Sequence, residues 1–311
     1  ADVGCLPDFL PGYRKIGDKT GDFSDQWGDV SIPDKPGRDI FGMLSAARER
    51  KLSALVVMGQ DILFSFPDYH FAREALEAVG FIVAIDQFMT QTAKAAHVVF
   101  PAAAFVEKEG TYTNWERRVQ RFGRAYRPPG EARPEWQIIA DLADRMERPF
   151  SLYSPQGIFS ELAHMIPSYS GISYADLSGE GKVWKGNENK PATFEIFNPN
   201  GLVPEKNFPV LLTTGNSLLH SGILHFPTEN QQRMEPEPYL EMNADELLKM
   251  KKFKGDKVKV VSALGEIEVR VRPSELMPTG VVYLPENFPQ TQLNKLMKWD
   301  KPYLWVRVEN A

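Results

Sequence analysis

The fold is decided by the stretch from residue 53 to residue 101, SALVVMGQDILFSFPDYHFAREALEAVGFIVAIDQFMTQTAKAAHVVFP. Three short runs in it are rich in β-branched and apolar residues, which is typical of buried strands: 53–59, 81–86 and 97–101. Two helical patterns lie between the runs, and each begins at a side chain that can cap a helix, Asp68 for 67–80 and Thr90 for 90–96. Strands and helices that alternate at this spacing predict a parallel α/β sheet.

The α/β pattern extends on both sides of this stretch. Residues 38–51 have apolar side chains at helical spacing, and residues 134–148 and 155–166 are also predicted to be helices. Residues 111–134 are predicted to be extended. Residues 167–206 are rich in Gly, Ser, Asn and Pro, which favours a loop-rich crossover between two domains.

From residue 208 onward the period of the apolar residues changes to that of strands. Short strands are predicted in FPVLLTTG, PYLEMN, KGDKVKVVSALGEIEVRVRP, TGVVYLP and YLWVRVEN, with a hairpin near Leu264 and Gly265. Asn243 and Glu246 form a capping-box pattern at the start of a small helix. Several short strands around one helix predict a compact β-barrel.

The length of 311 residues exceeds that of an average domain, so two packed units are expected. We predict an extended lead-in at 1–37, an α/β domain with its crossover at 38–205, and a β-barrel domain at 206–311. The chain begins ADVGCLPDFLPGY, without an initiator methionine and with an apolar, proline-broken stretch. We therefore expect a fragment whose lead-in continues from a missing upstream domain.

Composition and charge exclude several classes of function. The net charge of −5 argues against general nucleic-acid binding, which needs a basic surface. No apolar run reaches the ~18 residues that span a bilayer, and nothing at the start resembles a signal peptide. The single cysteine, Cys5, excludes an internal disulfide and a cysteine-built zinc or iron–sulfur site within the chain. The five histidines lack a spacing such as HExxH, so no metal site is predicted.

Polar residues follow two neighbouring strands of the predicted sheet. Gly59 lets the backbone approach a ligand closely, and Asp61 can accept from hydroxyls or base nitrogens. Asp86 follows the next strand and suits the N–H edge of guanine or a pair of ribose hydroxyls. Ordinary alternatives stay open, because the glycine can serve a turn and Asp86 can cap the turn into the helix begun by Thr90. Ligand clefts of parallel sheets lie at this edge, so the group is a candidate binding site.

A second polar cluster lies in EGTYTNWERRVQR at 109–121, where five candidates crowd together: Gly110, Thr111, Asn114, Glu116 and Arg118. Further arginines lie around and beyond them: Arg117, Arg121, Arg124 and Arg127. Guanidinium groups pair with phosphates in bidentate fashion, so a cofactor with a pyrophosphate fits this cluster. From Arg121 onward, the alternative is a solvated or docking face.

A third cluster follows the first barrel strand in LLTTGNSLLHSG at 211–222. Its small donors and acceptors are suited to orienting a polar ligand: Thr213, Thr214, Gly215, Asn216, His220 and Ser221. A Ser–His hydrolase is disfavoured, because the chain lacks GxSxG and offers no third member of a triad. No catalytic residue is therefore assigned.

Seven blocks of the chain follow one another in the order of a known superfamily. They are MGQD, DQFMTQTAKAAHVVFPAAAFVEKEGTYTNWERRVQR, PPGEARPEWQIIADLADRM, SYSGISY, LLTTGNSLLHSG, EPEPYLEMNADE, and KGDKVKVVSALGEIEVRVR with PTGVVYLPENF. Together they closely resemble the carboxyl-terminal half of molybdopterin oxidoreductases. That superfamily includes formate dehydrogenase α subunits and the large iron–sulfur subunit of NADH-quinone oxidoreductase, respiratory complex I. The resemblance implies an α/β domain and a double-psi β-barrel, which together embrace a molybdopterin guanine dinucleotide.

The resemblance also implies which residues bind that cofactor: Gly59, Asp61, Asp86, Thr90, Gly110, Thr111, Asn114, Glu116, Arg118, Thr214, Gly215, Asn216, His220, Ser221 and Asn294. In the catalytic relatives, the equivalent of residues 86–121 helps to hold one dinucleotide, and the turn after Thr214 contributes from the barrel. We expect the two groups to converge on one cleft. The iron–sulfur cluster and the molybdenum ligand belong to upstream segments, so this chain alone is not expected to turn over substrate.

Departures from the family pattern separate two hypotheses. Asn216 stands where formate dehydrogenases usually have arginine, His97 where the family usually has aspartate, and Leu304 where it has lysine. HSG at 220–222 and LPENF at 284–288 look more like complex I large subunits. YTNWERRVQR and PPGEARPEW look more like formate dehydrogenases.

The first hypothesis is the cofactor-free end of a complex I large subunit, which packs beside the electron-carrying domain without a redox centre of its own. The alternative is the dinucleotide-binding half of a formate dehydrogenase-type molybdenum or tungsten enzyme. The first is favoured, because each lost charged hydrogen bond weakens phosphate binding by roughly 1–3 kcal/mol. Either way the partners are other subunits of a respiratory or formate-oxidising complex, with no nucleic acid and no membrane span. We expect a cytoplasmic protein, peripheral on the cytoplasmic face of the inner membrane through those subunits.

Overall fold

The computed structural model describes residues 6–17, 23, 26–28, 32–149, 153–184, 203–220, 222, 229–235, 237–301 and 303–311. Its contacts divide the chain into two compact units. The sheet unit comprises Ala1–Gly59 and Ala78–Glu195, and the barrel unit comprises Gln60–Glu77 and Ile196–Ala311. Parts of the predicted lead-in and residues 185–202 of the predicted crossover lie outside the described residues.

The helices are α1 (Ile40–Arg48), α2 (Ile62–Ser65), α3 (Tyr69–Ala78), α4 (Gln91–Ala95), α5 (Glu135–Arg145), α6 (Pro155–Met165), α7 (Glu229–Met234) and α8 (Ala244–Lys249). The strands are β1 (Phe9–Leu10), β2 (Arg14–Lys15), β3 (Ala54–Met58), β4 (Phe81–Asp86), β5 (Val98–Pro101), β6 (Gly110–Thr113), β7 (Arg118–Phe122), β8 (Lys182–Val183), β9 (Val210–Gly215), β10 (Tyr239–Asn243), β11 (Lys257–Val261), β12 (Glu266–Ser274), β13 (Val281–Pro285) and β14 (Leu304–Asn310). Short 3-10 helices span Phe105–Glu107, Pro167–Tyr169, Tyr174–Leu177 and Leu293–Lys295. Within these described ranges, no helix has the length and apolar character needed to cross a membrane.

Strands β3, β4 and β5 form a parallel sheet in that order, which confirms the α/β prediction. Val83 of β4 pairs with Val56 of β3 on one side and with Val98 of β5 on the other. Helices separate consecutive strands along the chain, because a parallel pair needs a crossover.

Two predicted helix caps are confirmed. Asp68 Oδ1 accepts a hydrogen bond from Phe71 N at 3.0 Å, and Thr90 Oγ1 accepts one from Ala93 N at 3.1 Å. Each bond satisfies a backbone N–H in the first turn that has no partner within the helix. These side chains therefore fix where α3 and α4 begin.

Strand β3 is not buried on both faces, contrary to the expectation for residues 53–59. Val56 is 55% exposed and Met58 is 51% exposed, whereas Val57 is buried. Successive side chains of a strand point to opposite faces, so Val57 packs inward while Val56 and Met58 face solvent. β3 also lies at the edge of the described sheet, where one side of the strand has no neighbour.

Strands β6 and β7 form a hairpin, and β8 pairs with β7 to complete an antiparallel sheet. Residues 167–184 of the predicted crossover contain two 3-10 helices and β8, and they are anchored because Tyr169, Tyr174 and Leu177 are buried with Val119 in one apolar cluster. Gly and Ser dominate the composition there, but three large side chains supply the apolar surface that holds the segment in place.

The barrel unit contains a closed six-stranded barrel in the order β10-β12-β11-β14-β9-β13. The pairs β10–β12 and β9–β13 are parallel and the others are antiparallel. Alternate side chains of each strand fill the interior, among them Leu240, Val258, Val260, Val282 and Val306. This architecture confirms the predicted β-barrel, and β11 and β12 meet in the hairpin predicted near Leu264 and Gly265.

The capping box predicted at α8 is only half correct. Asn243 Oδ1 accepts from Glu246 N at 3.3 Å, as a cap should. The reciprocal bond is replaced by a longer-range one, since Glu246 Oε1 accepts from Gly280 N at 3.1 Å. Glu246 therefore joins α8 to the start of β13 instead of closing the cap.

Candidate functional site

The structure brings Gly59 and Asp86 together at the carboxyl edge of the parallel sheet, as predicted. Gly59 has φ of +62°, a conformation that L-residues rarely adopt, and its N–H donates to Ile85 O at 2.9 Å. Asp86 Oδ1 accepts from Phe88 N at 3.1 Å, so this carboxylate closes a local turn. Thr90 caps α4. The polar groups of this edge thus have structural roles, which were the alternatives left open by the sequence.

Asp61 lies in the barrel unit and not in the sheet unit with Gly59. It is only 6% exposed and occupies the N-cap position of α2. Its carbonyl accepts from Ser65 N and Ser65 Oγ, both at 2.8 Å. The residue is thus part of the turn that opens α2.

The cluster around Asn114 forms the turn of the β6–β7 hairpin. Asn114 Oδ1 accepts from Arg118 N at 2.9 Å, and Arg117 takes a positive φ of 66° within the turn. Arg118 Nε donates to Glu116 Oε2 at 2.8 Å, and its Nη1 donates to Glu180 O at 3.3 Å. The hydrogen bond from Arg118 lowers the pKa of Glu116, and Asn114 adds to the effect. The predicted ligands are therefore bonded to one another.

Gly110 and Thr111 begin the same hairpin. A Cβ at Gly110 would lie 3.1 Å from the ring of Phe122, its partner across the strands, so the glycine admits that aromatic ring. Thr111 pairs with Arg121, whose guanidinium lies 4.6 Å from the centre of the Tyr174 ring. The hairpin thus packs through aromatic and arginine contacts.

The third cluster follows β9 and is bonded to distant parts of the barrel unit. Thr214 Oγ1 donates to a carboxylate oxygen of Glu286. Tyr283 OH donates to Gly215 O at 3.1 Å, and Asn287 Nδ2 donates to Asn216 Oδ1 at 2.7 Å. The loop is held by the end of β13 and the residues after it, because β9 and β13 pair in parallel.

His220 is a buried structural residue of this loop. It is 1% exposed, and its ring centre lies 4.0 Å from that of Phe288. Its Nε2 is 2.9 Å from Glu235 O, while its buried Nδ1 has no hydrogen-bond partner among the described residues. Ser217 Oγ donates to Glu235 Oε2 at 2.9 Å, which ties the same loop to Glu235 a second time. The predicted Ser221 lies outside the described residues.

Acidic side chains dominate the electrostatics beside this loop. Burial raises the pKa of Tyr283, and Tyr239, Glu286, Glu241 and Glu235 raise it further. A neutral phenol is favoured there because carboxylates oppose a second negative charge. The nearby guanidinium of Arg272 lies over the Tyr239 ring, 3.3 Å from its centre. Arg272 is therefore already engaged beside these acidic groups.

A cavity of about 250 Å³ lies within the barrel unit, between the start of α3 and the segment that follows β13. Its lining includes Phe64, Pro67, Asn287, Phe288, Asn294 and Met297. Asn294 is 5% exposed, and its Nδ2 donates to Leu63 O at 2.8 Å and to Phe66 O at 3.1 Å. Its Oδ1 is buried and has no partner in the part of the chain that the structure describes. Asn294 thus joins the segment around α2 to the barrel and leaves one acceptor unsatisfied.

Sequence reasoning missed the polar partners of the barrel loop. Ser217, Glu235, Glu286 and Asn287 were not nominated, although they lie in the quoted motifs LLTTGNSLLHSG, EPEPY and LPENF. The sequence feature that could have indicated these residues is the clustering of carboxylates and amides in the quoted motifs. Their pairing depends on long-range contacts that spacing does not reveal.

Two families match the chain. Molybdopterin oxidoreductase matches residues 13–145, and the molydopterin dinucleotide binding domain matches residues 210–303. The chain belongs to the molybdopterin oxidoreductase family. The second match covers five of the six barrel strands and ends just before β14, so the barrel of this molybdopterin oxidoreductase chain has the fold of a dinucleotide-binding domain.

Two relatives are similar along almost the whole molybdopterin oxidoreductase chain. A subunit of NADH-quinone oxidoreductase from Rhizobium meliloti is 34% identical over 299 residues, which cover 96% of this chain and 35% of the relative. The alpha subunit of F420-dependent formate dehydrogenase from Methanocaldococcus jannaschii is 35% identical over 318 aligned positions, which cover 95% of this chain and 47% of the relative. The chain thus spans less than half the length of either relative, and identity does not separate the two.

A solved structure supports the fold. Acetylene hydratase from Pelobacter acetylenicus superimposes with a TM-score of 0.68 over 87% of this chain and 46% of that chain. The two sequences are 15% identical, so the match concerns the fold alone.

The barrel loop fits the dinucleotide of this family poorly. The hydroxyls of Thr214 and Ser217 already donate to carboxylates, and residues 207–222 contain neither lysine nor arginine. A diphosphate needs donors or cations there, and the described loop residues offer it carboxylate neighbours instead. Among the described residues, no cluster of His, Cys, Asp or Glu could hold a metal ion. Convergence of Asp86 and Asn114 with this loop stays a prediction, because the groups belong to different units.

Proposed function

We propose that the chain is part of the large iron–sulfur subunit of an NADH-quinone oxidoreductase and serves there as a scaffold without its own redox centre. The observation that carries this proposal is the pair of bonds from Thr214 and Ser217 to the carboxylates of Glu286 and Glu235. A loop that binds the diphosphate of a dinucleotide needs hydrogen-bond donors or cations, and hydroxyls such as these two can serve as donors. Here they stabilise the barrel unit instead.

Charge supports the same proposal. A phosphate placed beside these hydroxyls would meet two carboxylates, and like charges in contact cost several kcal/mol. Asn216 supplies no cation, because its side chain is neutral and accepts from Asn287. A charged hydrogen bond that is absent forgoes about 1.5–3 kcal/mol of binding free energy.

A second candidate is the dinucleotide-binding half of a formate dehydrogenase-type molybdenum or tungsten enzyme. The cavity beside Asn294 favours it, since no described residue donates to the buried Oδ1 of Asn294 and a bound heterocycle could supply a donor. The similarity to the formate dehydrogenase of Methanocaldococcus jannaschii is equally strong.

Partners and location follow from either candidate. The names of both relatives describe subunits, so we propose that this chain works among other subunits of a respiratory or formate-oxidising complex. We place it on the cytoplasmic face of the inner membrane, held there by those subunits.

Metal and pterin analysis of the full-length protein tests the proposal. The protein is purified from its native host grown with molybdate and tungstate, and a molybdenum enzyme from the same cells serves as the control. Both metals, and the fluorescence of the oxidised pterin, should be far below the amount of protein while the control is fully loaded. A stoichiometric pterin content would replace the scaffold with the formate dehydrogenase-type candidate.

A further inference from the structure

The surface around the β6–β7 hairpin exposes four aromatic side chains. Trp115 is 94% exposed, Tyr126 69%, Phe105 62% and Tyr112 58%. Single exposed apolar residues are ordinary, but four large aromatic ones within 22 residues of sequence are not. We name these four residues, together with Phe122, Arg124 and Arg127, the aromatic–arginine ribbon.

Backbone and ring contacts hold parts of the ribbon in place. Trp115 lies in the hairpin turn, and Tyr112 stacks on Phe122 with 4.8 Å between ring centres. Beyond β7, Ala125 N and Tyr126 N both donate to Val106 O, at 2.8 and 3.0 Å. These two bonds fasten Tyr126 beside the segment that carries Phe105.

The opposite face of the hairpin is committed to the core. Val119 is fully buried, and Thr113 Oγ1 lies 2.8 Å from the hydroxyl oxygen of the buried Tyr169. Because side chains alternate along a strand, Tyr112 must point away from this core. The exposure of Tyr112 is therefore fixed by the register of the sheet.

The ribbon lies in the basic part of an acidic chain. Residues 117–133 contain six arginines and one glutamate, whereas the whole chain has a net charge of −5. Four of those arginines are engaged: Arg117 with Trp184, Arg118 with Glu116, Arg121 with Glu109 and Arg133 with Asp141. Arg124 and Arg127 are exposed and have no ion pair among the described residues. Two cations are thus free on either side of Tyr126.

We infer that the aromatic–arginine ribbon docks an acidic protein surface on another polypeptide, with carboxylates paired to Arg124 and Arg127 and an apolar pocket around Trp115. Tryptophan, tyrosine and arginine are the residues that carry binding free energy at protein interfaces. A nucleic acid is disfavoured, because its binding typically neutralises ~6–10 phosphates and the ribbon has two free cations. The inference stands whether or not the barrel unit binds a dinucleotide.

Photo-crosslinking in the full-length protein tests this inference. A benzophenone amino acid replaces Trp115 in the native host, and crosslinked peptides are identified by mass spectrometry. The adduct should join a different polypeptide, at a site rich in Asp and Glu. Adducts confined to the same polypeptide, adducts to nucleic acid, or no adduct would each overturn the inference.

Charge reversal gives the second readout. Arg124→Glu with Arg127→Glu should lower the crosslinking yield by about tenfold, since carboxylates would then face carboxylates. Arg148→Glu is the matched control, because Arg148 is an exposed arginine beyond the far end of α5. Raising the salt concentration should also lower the crosslinking yield of the protein that keeps both arginines. This measurement does not depend on the folding of the charge-reversed variants. A crosslinking yield that changes with neither charge reversal nor salt would contradict the proposed pairing of Arg124 and Arg127 with carboxylates.

Discussion

The β6–β7 turn and the loop after β9 are both polar and were both expected to hold the same ligand, but their side chains are satisfied in different ways. In the turn, Asn114 bonds Arg118, four residues away. In the loop, Ser217 reaches Glu235, 18 residues away, and Thr214 reaches Glu286, 72 residues away. The Asn114 bond of the turn is local, with one distant contact added by Arg118 to Glu180 O, whereas both bonds of the loop join distant segments of the barrel unit.

This difference decides what each region can do. The polar groups of the turn shape a hairpin that displays aromatic side chains, and a change there should stay local. The polar groups of the loop connect barrel segments and surround the loop with carboxylates. A change there should affect both the stability of the barrel unit and its affinity for anions.

The largest effect is expected at Asn294, where the long-range bonds are buried. Asn294→Ala removes the donors to Leu63 O and Phe66 O and should lower the free energy of unfolding by about 2–3 kcal/mol, because two buried hydrogen bonds are lost while Phe66 O keeps the N–H of Asp68 as a donor. Urea denaturation measures this, with the exposed Asn310→Ala as the control. Equal effects of the two variants would show that the buried bonds contribute nothing.

The next effect is expected at Thr214. Thr214→Val keeps the shape of the side chain and removes the bond to Glu286, so it should cost about 1–2 kcal/mol of stability. The exposed Thr279→Val is the matched control in the same denaturation experiment. A stability unchanged from the parent would mean that this hydroxyl is free to bind a ligand.

Alkaline pH should weaken the barrel unit through Tyr283. The pKa of Tyr283 is raised, chiefly by burial, so its contribution to stability is present below the usual tyrosine pKa of about 10 and is lost as the pH rises through the raised value. Tyr283→Phe should therefore lose less stability than the parent between neutral pH and about pH 11. Burial also raises the pKa of Tyr239, so part of the decline in stability with rising pH should remain in the Tyr283→Phe variant. The exposed Tyr153→Phe should show the same decline of unfolding free energy with pH as the parent. An equal decline in Tyr283→Phe would show that Tyr283 does not cause the alkaline loss of stability.

The smallest effect is expected in the hairpin turn. Asn114→Ala removes one partly exposed bond and should cost about 0.5–1 kcal/mol, with faster hydrogen exchange confined to the Arg118 amide. Asn114→Asp keeps the acceptor for Arg118 N and should restore the exchange protection of the Arg118 amide, although it loses the donor to Glu116. A loss as large as that of Asn294→Ala would remove the contrast between the two regions.

The elements that depend on neighbouring residues could be predicted from the sequence. Asp68 and Thr90 cap their helices, and the hairpin near Leu264 and Gly265 joins two strands of the barrel, because such features depend on residues a few positions apart. The parallel pairing of β3, β4 and β5 followed from the alternation of strands and helices, but their order in the sheet was not predicted.

The remaining features depend on contacts that spacing does not encode. The exposed face of β3 at Val56 and Met58 reflects which sides of the strand are covered, and a run of β-branched residues does not specify that. Glu246 accepts from Gly280 N instead of closing its predicted cap, and Thr214 donates to Glu286. Both bonds form because the closed barrel brings these residues together. For the candidate site, the polar residue types could be predicted. The carboxylates that accept hydrogen bonds from the loop hydroxyls could not.

Carboxylates of the barrel unit accept the hydrogen bonds of the Thr214 and Ser217 hydroxyls, which a dinucleotide would otherwise need as donors. Binding of guanosine diphosphate tests this most directly. By calorimetry, the parent protein should bind guanosine diphosphate weakly. Glu235→Gln with Glu286→Gln should bind it about tenfold more tightly, because two repulsive charges are gone. The exposed pair Glu205→Gln with Glu275→Gln should leave the affinity unchanged. Tight binding by the parent, with no gain in the Glu235 and Glu286 variant, would contradict the account.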